Sequence, residues 1–231
     1  MKDISLKKFL ASNLILAVIY SLLGIAGLKL AIPPGHATAI FPAAGISFVA
    51  ILFGGGHLLP GVWLGSVSIT LWEAFENDSL NSTSFLIATS IALGASLQAW
   101  LGAFLVHRVA KINWQNLSQW TDIIWFLLLA GPIACLISTS WGITTLLAFD
   151  IIPLPAIQTQ WLNWWLGDMT GVILFAPLSL IFLLRQHALW RNRLIFIAIP
   201  TTIATLTVVI AFIYVSNSEN IQANNKQNHK K

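Results

Sequence analysis

The chain has 231 residues, 57% of them hydrophobic and only 9% charged, with a mean hydropathy of +0.79, where an average soluble domain carries about 25% charged residues. That composition excludes an ordinary water-soluble globule. The formal charge is +4, but the basic residues stand in short clusters between apolar runs, so they read as membrane topology signals and not as a nucleic-acid surface.

A helix rising 1.5 Å per residue needs about 20 apolar residues to cross a hydrocarbon core about 30 Å thick. Segments 10–31, 37–55, 57–76, 85–107, 122–148, 161–184 and 194–215 meet that requirement. The expected fold is an all-α polytopic bundle of seven or eight helices, with residues 1–215 as the membrane domain and 216–231 as a polar, disordered tail. The start, Met1 to Lys8, has the charged head of a signal peptide. The apolar stretch behind it is too long and lacks a small-x-small cleavage site, so it reads as a retained first helix. The second segment opens at Phe41-Pro-Ala-Ala-Gly45, where Pro42 is expected to kink the chain and, with Gly45, permits an irregular backbone beside a cavity or polar partner. Gly54-Gly-Gly56 is an inter-helix turn, and Asn81-Ser-Thr83 matches a glycosylation acceptor, a tripeptide common by chance. In the fifth segment Gly131-Pro132 predicts a kink, and Pro177 and Pro200 predict bends in the last two.

Small residues one turn apart mark faces where helices can approach closely. Gly61 and Gly65 form one such pair, Gly167 and Gly171 another, and Gly94, Gln98 and Gly102 share a face of the fourth helix. Orientation follows from the cations. With the amino terminus in the cytoplasm, Lys2, Lys7, Lys8, Arg108, Lys111, Arg185, Arg191 and Arg193 fall inside, as the positive-inside rule requires. Seven crossings then leave the carboxyl terminus outside, together with Lys226, Lys230 and Lys231.

An ionisable group within a span is unfavourable by at least about 2.5 kcal/mol unless it is paired or hydrated. Asp168 is the clearest case, expected about 10 Å below the outer end of its helix, behind Trp164 and Trp165. Lys29 and Glu73 fall in the same leaflet. Two readings follow: Asp168, Lys29, Glu73 and Gln98 line an outward-facing polar cavity walled by Trp164 and Trp165, or Asp168 and Lys29 form a structural lock while Glu73 snorkels to water. No motif of an enzyme appears, the single Cys135 excludes an intrachain disulfide, and the five histidines sit at segment ends, so neither metal nor cofactor is implied.

Three stretches carry a resemblance. Phe41-Pro-Ala-Ala-Gly-Ile-Ser-Phe-Val-Ala50 with Gly54-Gly-Gly-His-Leu-Leu-Pro-Gly-Val-Trp-Leu-Gly65 resembles the opening of the bacterial membrane-associated sensor domain, type one. Leu93 to Leu105 is similar to that family's central helix, and Trp164 to Leu178 to its most recognisable block; together they span about residues 10–215. Ala43 replaces the family's usual second proline. The resemblance implies a sensory input in signal transduction, usually joined to a histidine kinase of a two-component system or to a diguanylate cyclase. No such output domain follows Ser216 here, so the expectation is a free-standing sensor, a truncated product or an input acting through a separate partner. Its partners would be the lipid bilayer, a signalling protein at the inner loops, and a second copy of the chain through the glycine seams. A small-solute transporter or channel would use the same polar cluster and kinked helices.

Overall fold

The computed structural model describes residues 5–29, 38, 40–115, 117 and 119–184, with isolated helical positions at 199, 202–203 and 206–207. Within the bilayer every backbone N–H and C=O must find a partner inside the segment, and a helix does this at each residue. The described residues obey that rule: they form helices α1 (Leu6–Leu28), α2 (Pro42–Gly54), α3 (Leu59–Glu76), α4 (Ser82–Phe104), α5 (Trp120–Leu128), α6 (Cys135–Ala148) and α7 (Ile157–Leu184). A π turn, Leu129–Ile133, joins α5 and α6 into one span, giving six helical rods. This corrects the expected seven or eight. Apart from those isolated helical positions, the expected segment 194–215, with Pro200, lies outside the described residues, as do Arg185, Arg191, Arg193 and the tail.

Five of the rods are long and apolar enough to cross a membrane, and the chain is a multi-pass membrane protein. The sixth, α2, is shorter than the expected 37–55. Its 13 residues extend only about 20 Å. Pro42 sits at its first turn, where the missing N–H is not needed, so this proline starts a helix and does not kink one. α2 is the centre of the bundle, packed on α1, α4 and α7, with Ala43, Phe48 and Val49 almost fully enclosed. Large side chains such as Leu14, Leu86 and Phe182 point outward, as a surface solvated by lipid allows.

Glycines set the closest approaches. A Cβ at Gly65 would lie 2.8 Å from the Tyr20 Cβ on α1, and one at Gly102 would lie 3.0 Å from the Phe48 ring on α2. Gly94 rests on Trp141 of α6, 3.1 Å from where its own Cβ would stand. At Gly61 the seam is also polar: Asn13 Oδ1 accepts the Gly61 N–H at 2.7 Å, while Asn13 Nδ2 donates to the carbonyls of His57 at 3.0 Å and Phe9 at 2.9 Å. Asn13 thereby satisfies a donor at the start of α3 that the helix itself leaves open. The turn before α3 depends on Gly55, whose φ of 91° lies in the left-handed region. Asn81 caps α4, accepting the Ser84 N–H at 3.0 Å while Ser84 Oγ accepts the Asn81 N–H at 3.2 Å, which gives this asparagine a structural task.

Pro132 lies inside the π turn, and the Ala134 N–H reaches back to the Leu129 carbonyl at 3.1 Å. Pro177 lies inside α7, which continues through it to Leu184.

Candidate functional site

Asp168 is 3% exposed. It stands about 16 Å along α7 from Ile157, and Ser66 and Ser138 stand about 15 Å from the ends of α3 and α6 at the same end of the bundle. That is half the thickness of a hydrocarbon core. The carboxylate is thus deeper than the sequence suggests, because α7 begins at Ile157 instead of 161.

Its hydrogen-bonding neighbours are the side chains of Ser138, Trp164 and Gln98. All three are neutral donors. Lys29 is exposed at the end of α1, and it is not among the groups facing Asp168. The lysine lock is therefore replaced by a set of dipoles, which can stabilise a charge without cancelling it. The Oε1 of this Gln98 is buried without a hydrogen-bond partner, as is Thr139 Oγ1 on α6.

On the other side of the carboxylate lies a cavity of about 100 Å³. Asp168 and Gly167 form its floor; Tyr20, Phe41 and Trp164 are aromatic walls; Ser66, Thr38 and Thr70 supply hydroxyls, and Glu73 stands toward its outer end. The Tyr20 hydroxyl pairs with Ser66. The rings of Tyr20 and Phe41 meet edge to face, 6.0 Å apart at 77°. A second, more open cavity of about 260 Å³ shares Thr70, Glu73 and Leu146 with the first and opens between the α3–α4 turn and the end of α6.

The backbone before α2 closes the inner cavity. Phe41 N–H donates to the Gly167 carbonyl at 3.0 Å. The carbonyls of Thr38 and Phe41 rest directly on Gly167 and Gly171, in the space a Cβ would take. These two glycines receive a non-helical backbone, an approach that no larger residue permits. Gly45 of α2 completes the contact against the Gly171 carbonyl.

Of the residues singled out from sequence, Asp168, Glu73 and Trp164 line the cavity, and Gln98 supports Asp168 from within the bundle. Trp165 points elsewhere: its Nε1 donates to the Pro132 carbonyl at 2.9 Å, and its ring stacks on Trp161 at 5.9 Å. Sequence reasoning passed over Tyr20, Thr38, Ser66, Ser138 and Asn13. Each is a polar group inside an apolar run and, unlike Asp168, uncharged. Polar residues within spans are the available signal for them.

Among the described residues there is no group of three or more His, Cys, Asp or Glu that could hold a metal ion. The family model of MASE1 matches residues 12–219, so the chain belongs to the MASE1 family, the membrane-associated sensor domains of type one. This is a family of sensory membrane domains. No curated protein and no solved structure matches the chain.

Proposed function

We propose that this MASE1 domain is the input of a signalling system in a bacterial inner membrane, with its amino terminus in the cytoplasm. A stimulus entering the cavity over Asp168 displaces Phe41 against α7. α7, with the π turn it holds through Trp165, carries the displacement toward the basic inner loops. There it biases a histidine kinase, a diguanylate cyclase or a separate membrane partner.

The observation that carries this reading is a shared set of residues: Thr38 and Phe41 line the cavity, and the same two residues rest their carbonyls on Gly167 and Gly171 on either side of Asp168. A ligand shifts an equilibrium only by contacting its two states differently. Here whatever fills the cavity touches the contact between α2 and α7 directly. The proposed orientation is supported by Lys7, Lys8, Arg108 and Lys111, which fall at rod ends opposite the cavity.

The test is made in the source bacterium, with chromosomal Asp168→Asn and Ala95→Phe, the second filling the cavity from α4. Cyclic-di-GMP levels and kinase-dependent transcription are measured against wild type and a deletion strain, at equal protein levels. Both variants should shift the output toward that of the deletion. Output identical to wild type in both would overturn the reading, and solute flux through proteoliposomes of the full chain would replace it with transport.

A further inference from the structure

Among the described residues, the buried Asp168 carboxyl faces no Lys, Arg or His. The titratable groups close enough to feel its charge are Tyr20 of α1 and Cys135 of α6, a phenol and a thiol that are neutral at ordinary pH. Glu73 of α3 lines the cavity farther out and has a partner of its own. α2 and the π turn, both packed on α7, contain no ionisable residue; α4 contains none either and offers the amide of Gln98. A charge buried without an opposite partner is relieved when the group takes up a proton.

Gln98 is placed to hold that neutral form. Its side chain is 5% exposed and bonds to Asp168, yet its Oε1 has no donor. A carboxylate only accepts, so it takes an N–H from the amide and leaves the amide oxygen stranded. A carboxylic acid also donates one O–H. Acid and amide then close a ring of two hydrogen bonds, amide N–H to the acid carbonyl and acid O–H to Oε1. Ser138 and Trp164 still find lone pairs on the acid, so the same side chains serve either protonation state.

A proton reaches a buried group through water. The cavity above Asp168, about 100 Å³ in volume, has room for about three water molecules at about 30 Å³ each. Hydroxyls of Thr38, Ser66 and Thr70 line it and supply the polar partners that a buried water requires. The second cavity shares Thr70 with the first and continues to the α3–α4 turn.

We propose that Asp168 is a proton-binding site, linked by water in the two cavities to the solution at the α3–α4 end of the bundle, and that a two-bond ring with Gln98 holds its neutral form. On uptake, a hydronium ion in the cavity gives up one O–H bond and becomes water. The new O–H bond forms on an Asp168 carboxylate oxygen, and the buried charge is cancelled. Loss of the proton to a cavity water reverses the step. Occupancy thus sets whether the Gln98 side chain ties α4 to α7 by one hydrogen bond or two. This deepens the sensory reading above and rests on it for the meaning of the ligand: the stimulus is acidity on the cavity side.

The full chain, in polymer-bounded discs of its native lipid, is followed by infrared difference spectroscopy while the buffer is stepped between mildly acidic and mildly alkaline. A carbonyl band of a protonated carboxylic acid should appear on acidification, vanish on return, and shift to lower frequency in heavy water. Asp168→Asn should lack the band. Gln98→Leu keeps the acid and removes the acceptor of its O–H, so the band should move to higher frequency; this variant decides the matter if Asp168→Asn misfolds. Ala95→Phe fills the inner cavity and should slow the heavy-water shift about tenfold or more, as about 1.4 kcal/mol added to the barrier would. A wild-type chain without a reversible acid band overturns the proposal. So does a band that survives in Asp168→Asn, which marks another carboxyl, or one unmoved in Gln98→Leu. Exchange as fast in Ala95→Phe as in wild type overturns the route through the cavity. If the band is absent while Asp168→Asn and Ala95→Phe still alter cellular output, the stimulus is not a proton and the sensory reading stands. If the band behaves as expected and output is unchanged in both variants, the proton site stands and the sensory reading falls.

Discussion

Gly171→Ala tests the contact on which coupling between the cavity and α7 depends. A Cβ at 171 would lie 2.6 Å from the Phe41 carbonyl carbon and closer still to its oxygen, where relaxed carbon contacts need about 3.5 Å. Phe41 must then retreat by about 1 Å. Overpacking of this kind is unfavourable by about 1–3 kcal/mol, and breaking the Phe41 N–H bond to the Gly167 carbonyl adds about 1 kcal/mol. Against this, alanine is favoured over glycine inside a helix by about 1 kcal/mol. The net expectation is a destabilisation of about 2 kcal/mol on these magnitudes. Gly131→Ala is the control, because a Cβ there meets nothing nearer than 3.6 Å, and it should match or exceed the wild type. Both are read by reversible unfolding in mixed micelles of rising dodecyl sulfate content, with amide exchange followed at Phe41. A Gly171→Ala chain as stable as wild type, with its Phe41 amide still protected, would refute the reasoning.

Asn13→Ala leaves the Gly61 N–H and the His57 carbonyl without the partner they share; a loss of about 2–4 kcal/mol in the same unfolding assay is expected, and a loss below about 0.5 kcal/mol would show that these groups find other partners. Asp168→Asn keeps the size of the side chain and its acceptor while removing a buried charge, so the chain should be at least as stable as wild type while its signalling output changes; a large drop in stability would mean that the charge itself holds the bundle together. Trp165→Phe retains the ring but not the bond to Pro132, and should speed amide exchange around the π turn by about fivefold, equivalent to about 1 kcal/mol. Reporter fusions in the loops at residues 77–81 and 110–119 should report opposite sides of the membrane, the second cytoplasmic; the reverse result would invert the proposed orientation.

Much of this architecture is legible in the sequence because lipid leaves the backbone few choices. Apolar runs of bilayer length become helices wherever the described residues cover them, and the segments beginning near residues 57, 85 and 122 lie within a few residues of α3, α4 and α5. Asp168 stands out for the same reason, since a carboxylate within a span is too unfavourable to be incidental. Glycine spacing marks the close contacts, but not what makes them: the partner of Gly167 and Gly171 is the backbone at Thr38 and Phe41, not a helix side chain. These helices are apolar on every side, facing lipid on one face and protein on another. A pattern of polar and apolar residues therefore does not say which face meets which neighbour. Only the tertiary structure decides that Trp164 turns to the cavity and Trp165 to Pro132, and that Asp168 is met by Gln98 and Ser138 instead of Lys29. The sequence by itself determined that the chain lies in the membrane, is helical, and carries one deeply placed acid. Which groups surround that acid was decided by packing, because they come from four helices far apart in the chain.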